Sequence, residues 1–430
     1  MKSVPAKSPS PLSLTLIGAG GFGSYHLASI GALSEAGRIR LDAVVEPGID
    51  RMPRLKADLK AKGVRLFLDY EQWLAEDCEC DAVTIAAPIP FHFEIASRCI
   101  ERGLIVYLEK PPVPLLEQLE SLIDLDKNRR VYVGFQFLCY GWMRQLKAWI
   151  VEGRFGELRS IRAGACWNRT DKYYTRCGWS GKMMFQGRPT FDGPATNALA
   201  HLVHSIMYLA SSSPGGFSIP SQVRGELYRA RKIESYDTAS MCGAFPSGPD
   251  FSLTVTHATE REHPYLLSID GTDGWAKISS NGARMETSFA GVQMQAERPE
   301  VLRASYEAFA DFAEGRLQEP HTTLADCRGY IIATNGMLLS SEVIHDIPEE
   351  YVSTYGVDGE SGFAIRNIAD AVKETVTHGG TLSDHNIPWA VTTKAVSPES
   401  IAGADMLSRL KCQSPVCENA HEPGPFATRI

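Results

Sequence analysis

Apolar residues along this chain come in short runs, and the runs alternate with stretches patterned like helices. Residues 13–17 (Ser-Leu-Thr-Leu-Ile) form a first strand, residues 24–36 a helix that stops at Gly37, and residues 39–45 a second strand that stops at Glu46. The alternation continues with strand 65–67, helix 70–76, strand 81–87, helix 90–102, strand 104–109, helix 114–127 and strand 131–135. Strands this apolar are buried on both faces, and the helices between them supply the cover. The pattern predicts an α/β unit built on a doubly wound parallel sheet.

From residue 136 the pattern changes. A helix over 136–155 leads to a strand over 158–167 and, later, a helix over 194–210. Five strand-like runs follow, at 222–228, 238–245, 251–258, 265–269 and 275–279, with turns such as Gly271-Thr272-Asp273-Gly274 between them. Strands in direct succession predict a large, open, mostly antiparallel sheet. Amphipathic stretches over 299–316 and 322–344 close this α+β unit. Residues 345–395 are a mixed segment with a helix expected over 363–377. The division is then a flexible lead-in at 1–11, an α/β unit at 12–136, an α+β unit at 137–395, and a Ser-, Pro-, Glu- and Ala-rich tail at 396–430 expected to be partly disordered.

Composition narrows the class. The chain has 430 residues, 44% hydrophobic and 22% charged, as in soluble globular proteins. A net charge of −8 argues against a partner made of nucleic acid or anionic lipid. No apolar run is long enough to cross a membrane, and 1–11 lacks a signal-peptide core. Of the ten cysteines, the close pairs Cys78/Cys80 and Cys412/Cys417 lack a second pair at zinc-site spacing, so no metal site is expected. Reduced thiols in a cytoplasmic protein are the expectation.

The first candidate chemistry lies directly after the first strand. Gly18-Ala19-Gly20-Gly21-Phe22-Gly23 has the spacing G-x-G-x-x-G and opens a helix. Gly18 suits a tight turn, Gly20 and Gly21 let backbone approach a pyrophosphate beside Phe22, and Gly23 lets helix and strand pack closely. The helix N-terminus offers free N–H groups to the phosphates. Glu46, at the end of the second strand, suits the ribose hydroxyls and repels a 2′-phosphate, so NAD is favoured over NADP. Arg51 and Arg54, just downstream, either soften that preference or are solvated charge.

The second candidate is the abrupt change after the fifth strand, Glu109-Lys110-Pro111-Pro112. Strand carboxyl ends are where ligands sit in such sheets. These residues, together with the glycine turn and His26, Ala86-Ala87-Pro88, His92 and Glu94, resemble the Gfo/Idh/MocA oxidoreductase family over roughly residues 12–340. The resemblance implies an N-terminal Rossmann domain and hydride transfer between NAD(H) and the carbinol carbon of a sugar, polyol or related compound. It further implies Pro88, His92 and Glu109 near the cofactor, Lys110 near nicotinamide and substrate, and a homo-oligomer (dimer or tetramer) formed through the second sheet.

A third cluster lies on the helix over 194–210. At 100° per residue, Asn197, His201, His204 and Tyr208 share one stripe, with Asp192-Gly193 as a cap. Family members carry Asp-x-x-x-His here; His201 matches, while Asn197 stands where the aspartate would be. The resemblance pairs His201 with Lys110 in proton transfer, imidazole titrating near neutrality. Asn197 orients a hydroxyl but holds no charge. Upstream, Trp167, Arg169, Tyr173, Tyr174, Arg176, Trp179 and Lys182 form a polar–aromatic loop. It reads either as a sugar pocket using Tyr174, Arg176 and Trp179, with His204 alongside, or as a loop packed on its own aromatics. An NAD-dependent glycoside hydrolase or lyase working through transient oxidation, and a non-catalytic NAD-binding regulator, are the alternative activities.

Overall fold

The computed structural model describes residues 11–76, 80–290, 300–357, 359–402 and 406. The expectations for the lead-in and the tail, and for Cys78, Cys412 and Cys417, fall almost wholly outside those residues.

The first sheet contains β1 (Leu12–Ile17), β2 (Ile39–Val45), β3 (Arg65–Phe67), β4 (Ala82–Ile85), β5 (Ile105–Leu108) and β6 (Val131–Val133). Between them run α1 (Gly23–Glu35), α2 (Pro53–Ala61), α3 (Tyr70–Ala75), α4 (His92–Glu101) and α5 (Leu116–Leu125). The order is β3-β2-β1-β4-β5-β6 and every pairing is parallel. All six residues of β1 are buried, as a sheet with helices on both faces requires. The strand order reverses between β1 and β4, which opens a crevice at their carboxyl ends.

The expected helix over 136–155 is a 3₁₀ turn, Gln136–Cys139, followed by α6 (Gly141–Val151). The chain continues through β7 (Leu158–Cys166), α7 (Asp171–Thr175), β8 (Met184–Phe185) and β9 (Arg188–Pro189). The polar–aromatic loop therefore contains a short helix. The expected continuous helix over 194–210 is broken in two: a π-helical turn, Pro194–Ala198, and α8 (Ala200–Leu209), separated by Leu199. Then come β10 (Gln222–Arg229), β11 (Thr238–Ala244), β12 (Asp250–Thr256), β13 (His263–Gly271), β14 (Trp275–Ser279) and β15 (Arg284–Thr287). Next are α9 (Val301–Ala313), α10 (Arg328–Ser341), β16 (His345–Asp346), β17 (Val352–Val357), β18 (Glu360–Ile365) and α11 (Ile368–His378).

The second sheet has eight strands in the order β15-β14-β13-β7-β12-β11-β10-β16. It is mostly antiparallel, with β7–β12 and β10–β16 parallel. Side chains alternate across β7: Ile161, Ala163 and Ala165 join the main core, while Cys166 belongs to a separate cluster on the other face.

That other face corrects one expectation. Residue 363 lies in β18, not in a helix, because residues 360–365 pair with β17; the helix starts after Asn367, whose φ of 58° is a left-handed conformation asparagine tolerates. The helix α11 then lies across β7 and β12, with Ile368, Ala371 and Val372 packed beside Cys166, Leu382 and Trp389. A Cβ on Gly164 would come within 2.7 Å of both Val372 Cγ1 and Val376 Cγ2, so helix and strand are in direct contact. The chain's own residues cover the sheet at β7 and β12.

After the second sheet, α9 returns to the first. Tyr306 and Phe309 pack in one cluster with Leu14, Leu16, Tyr107 and Tyr132, and the Tyr306 ring stacks on Tyr107 at 4.8 Å and 4°. Among the described residues no helix is long and apolar enough to cross a membrane.

Candidate active site

The glycine turn has the shape a dinucleotide needs. Gly18 has φ +91°, and a Cβ on it would lie 2.7 Å from the Ala86 backbone at the end of β4. A Cβ on Gly23 would lie 2.2 Å from the Gly18 carbonyl oxygen, so α1 can start this close to β1 only with glycine. Gly21 faces open space, and its carbonyl accepts from the Ser24 hydroxyl. Phe22 is 45% exposed, with its ring edge-on to His26 at 5.3 Å. Glu46 reaches this turn from the end of β2: its carboxylate accepts from the N–H groups of Ala19 (2.9 Å), Gly20 (3.0 Å) and Gly48 (2.8 Å). A turn with backbone room, a helix N-terminus and an acidic side chain at the second strand fits a dinucleotide.

Three of the residues expected near the cofactor have partners within the chain. Pro88 begins a 3₁₀ turn, its carbonyl accepting from Phe91 N at 2.9 Å. His92 is 1% exposed, and its ring nitrogens lie 2.9 Å from the Pro111 carbonyl and 2.8 Å from the Ala87 carbonyl. It thus links the end of β4 to the Glu-Lys-Pro loop rather than offering a free nitrogen; burial pushes its pKa down. Glu109 points at His26, Oε1 being 3.3 Å from Nε2, and its Oε2 accepts from Lys110 N at 3.0 Å. Burial would raise the Glu109 carboxyl, but His26 and Lys110 hold it below the usual carboxylate range. The His26 Nδ1 in turn shares a 2.7 Å hydrogen bond with the Tyr306 hydroxyl, which donates to Thr84 at 3.2 Å. Helix α1, β5 and α9 therefore meet behind Lys110.

Lys110 leaves β5 toward the second unit. Its Nζ donates to the Asn197 carbonyl at 3.1 Å and to Asn197 Oδ1 at 3.3 Å. Burial lowers its pKa, the charges of Glu109 and Asp192 pull it up, and Arg176 pushes it down. The π-turn shapes this contact: Leu199 N reaches back to the Pro194 carbonyl, and the wide turn presents both the carbonyl and the side chain of Asn197.

His201 follows on α8 and is 5% exposed. Its ring stacks on Phe137 at 4.3 Å and 9°. Burial, then the positive Lys110, then His204, hold its pKa well below the ordinary value, so it is a neutral imidazole at neutral pH. Titration near neutrality, expected from the residue type, is therefore overturned by the apolar surroundings. His204 is corrected too. It is 1% exposed, stacks face to face on Phe135 at 3.8 Å, and packs beside Phe217. Burial pushes its pKa down to about 3. It is a core aromatic and has no surface for a substrate. Lys147 fixes the far end of α8 by donating to the carbonyls of Tyr208, Ser211 and Gly216.

The polar–aromatic loop is packed largely on itself. The Arg176 guanidinium lies 3.7 Å from the Tyr173 ring centroid and 5.7 Å from Trp179, and donates to Ser180 at 3.1 Å. The Tyr174 hydroxyl lies 3.3 Å from His257 Nδ1, with Arg231 over its ring at 4.4 Å. Of the three loop residues singled out in the sequence, only Arg176 acts electrostatically on Lys110.

Sequence reasoning missed Asp192, which it took for a helix cap. Asp192 is 2% exposed. Its Oδ2 accepts from Gly181 N and its Oδ1 from Asn197 Nδ2, both at 2.7 Å. An aspartate before Gly-Pro is a common helix-start signal, and nothing local distinguishes it from a site residue. Among the described residues, no group of three or more His, Cys, Asp or Glu side chains is placed to hold a metal ion.

Known proteins resemble this chain along both units. Inositol 2-dehydrogenase of Corynebacterium glutamicum is 29% identical over 154 residues, 35% of this chain and 44% of that protein, so the match spans less than half of this relative. An uncharacterised oxidoreductase of Synechocystis sp. is 29% identical over 243 residues, 53% of this chain and 63% of that protein. The WlbA dehydrogenase of Bordetella pertussis, solved with NADH and UDP-GlcNAcA, shares the fold with a TM-score of 0.65 at 22% identity, over 77% of this chain and 96% of that one. Levoglucosan dehydrogenase, solved with NADH and levoglucosan, has a TM-score of 0.64 at 19% identity, over 77% of this chain and 97% of that one. The model of an oxidoreductase family with an NAD-binding Rossmann fold matches residues 12–137, and that of the GFO/IDH/MocA C-terminal domain matches residues 143–277. With both halves matched in order, the chain belongs to the GFO/IDH/MocA oxidoreductase family.

Proposed function

We propose that the protein is an NAD-dependent dehydrogenase acting on a carbinol carbon of a sugar, polyol or related hydroxylated compound. One observation carries the reading: Lys110 Nζ is held by Asn197 beside the neutral, buried His201, directly after the carboxyl end of β5. The relatives with named activity are dehydrogenases of an inositol and of a UDP-sugar, which supports a hydroxylated ring as substrate. The nicotinamide, when bound, accepts or returns the hydride.

The chain's own residues divide the remaining work. His201, neutral at neutral pH, accepts the hydroxyl proton in oxidation and returns it in reduction. Lys110, as an ammonium, donates to the substrate oxygen and stabilises the charge that grows there. Asn197 holds Lys110 in place. Arg176 lines the substrate side, and Glu46 accepts from the adenosine ribose, which favours NAD over NADP. Tyr174 and Trp179 shape the loop that carries Arg176. The seven described cysteines are free, in keeping with a cytoplasmic setting.

NADH formation across a panel of inositols, sugars, sugar acids and sugar nucleotides tests the reading. Wild type should give substrate-dependent NADH, and Lys110→Ala should lose about 100-fold or more in kcat. Turnover undiminished in Lys110→Ala refutes the role of the lysine. Substrate conversion with no net NADH points instead to transient-oxidation chemistry.

A further inference from the structure

The Asn197 side chain lies between two charges. Its Oδ1 is 3.3 Å from Lys110 Nζ, and its Nδ2 donates to Asp192 Oδ1 at 2.7 Å. Only one amide orientation satisfies both contacts: reversed, an NH₂ would face an ammonium and a carbonyl would face a carboxylate. The other Asp192 oxygen is taken by Gly181 N at 2.7 Å, which locks the carboxylate at 2% exposure. Asp192 lies outside the π-turn and caps no backbone N–H of it; Asn197 is brought back over it because the turn is wide.

We propose that Asp192 is the positioning residue of this site: through the Asn197 amide it supplies the negative charge that position 197 lacks, setting the direction of that amide and holding Lys110 as an ammonium. The groups facing Lys110 are Glu109 from the end of β5, Arg176 from the loop, His201 from α8, and Asp192 itself. Glu109 is engaged by His26, and Arg176 and His201 do not favour the ammonium. Glu109 and Asp192 both favour the ammonium, and of the two only Asp192 reaches it through the Asn197 amide; burial raises the Asp192 carboxyl, while Gly181 N–H, the Asn197 amide, Arg176 and Lys110 favour its charged form. The inference rests on Lys110 being a reacting group, but its test needs neither turnover nor cofactor.

The test is a titration of Lys110 followed by ¹³C-lysine NMR, with the signal assigned by its loss in Lys110→Arg. In Asp192→Asn, Lys110 should release its proton more easily, by roughly tenfold in the ionisation equilibrium, as loss of a nearby opposite charge implies. The exchanged pair Asp192→Asn/Asn197→Asp keeps every hydrogen bond, reversing donor and acceptor only between 192 and 197, and puts the carboxylate directly on Lys110. It should return the titration to the wild-type value or above. Superimposable titrations of wild type and Asp192→Asn overturn the proposal. If Asp192→Asn does not fold, the exchanged pair decides alone: a Lys110 that titrates below wild type there overturns it. Absence of any NADH in the panel assay would count against the dehydrogenase reading and leave this result standing.

Discussion

Tyr306→Phe removes one oxygen atom behind the active site and leaves the ring. The ring keeps its stack on Tyr107 at 4.8 Å and its contacts with Phe309, so packing is held constant. What is lost is the hydroxyl that lies 2.7 Å from His26 Nδ1 and 3.2 Å from Thr84 Oγ1, all three groups being fully buried. One net hydrogen bond is worth about 1 kcal/mol, and leaving the buried His26 nitrogen without a partner raises the cost to about 1–3 kcal/mol. Because Tyr306 is the link from α9 to α1 and β4, the cost should appear as easier opening of α9 against the first sheet. At 1.4 kcal/mol per tenfold, amide hydrogen exchange in residues 301–313 should speed up by roughly 5- to 150-fold. Exchange in α11, which contacts neither group, should not change and serves as the internal control. Unchanged protection of 301–313 would refute the idea that this hydroxyl ties α9 to the first sheet.

Three further outcomes follow from the geometry. Glu46→Ala should weaken NAD binding by about 10- to 100-fold and NADP binding much less, because the lost acceptor serves the ribose hydroxyls; equal losses in parallel titrations would exclude Glu46 as the ribose partner. His204 has a folded pKa of about 3 against an ordinary 6.5, so the unfolded chain binds the extra proton between those values. Stability from this site is complete above the ordinary value and is lost as pH falls toward the folded one, up to about 5 kcal/mol. His204→Phe should flatten the acid limb of a stability–pH curve, and an unchanged slope would refute the assignment. Gly164→Ala should lift α11 from β7, at about 1–3 kcal/mol, and speed proteolysis of 345–395; adding Val372→Ala should recover part of that loss.

Local chemistry made half of this protein legible. The glycine turn, Glu46, and the Glu-Lys-Pro element are consecutive or nearly so, and a strand–turn–helix rhythm with period-specific burial places them without tertiary information. The alternation of the first six strands was readable for the same reason. The second sheet was readable as strands, but not its order, because β7 pairs in parallel with β12, which lies far along the chain. The Asn197–His201 stripe was drawn on an ideal helix; the π-turn rotates Asn197 off that helix, and the apolar neighbours Phe135 and Phe137 turn both histidines into low-pKa, buried groups. Periodicity carries no information about either. Asp192 was hidden because a buried carboxylate and a helix cap have one and the same sequence signal.

The position of α11 has a consequence for synthesis. Val372 and Val376 close over Gly164 only after roughly 200 more residues have been translated, on the order of 10–40 s at about 5–20 residues per second. During that time the nascent chain holds β7, and then most of its sheet partners, with Cys166 and the neighbouring apolar positions of that face uncovered. A chain cut short before residue 368 would lack the helix that lies across β7 and β12, leaving apolar surface there open to aggregation.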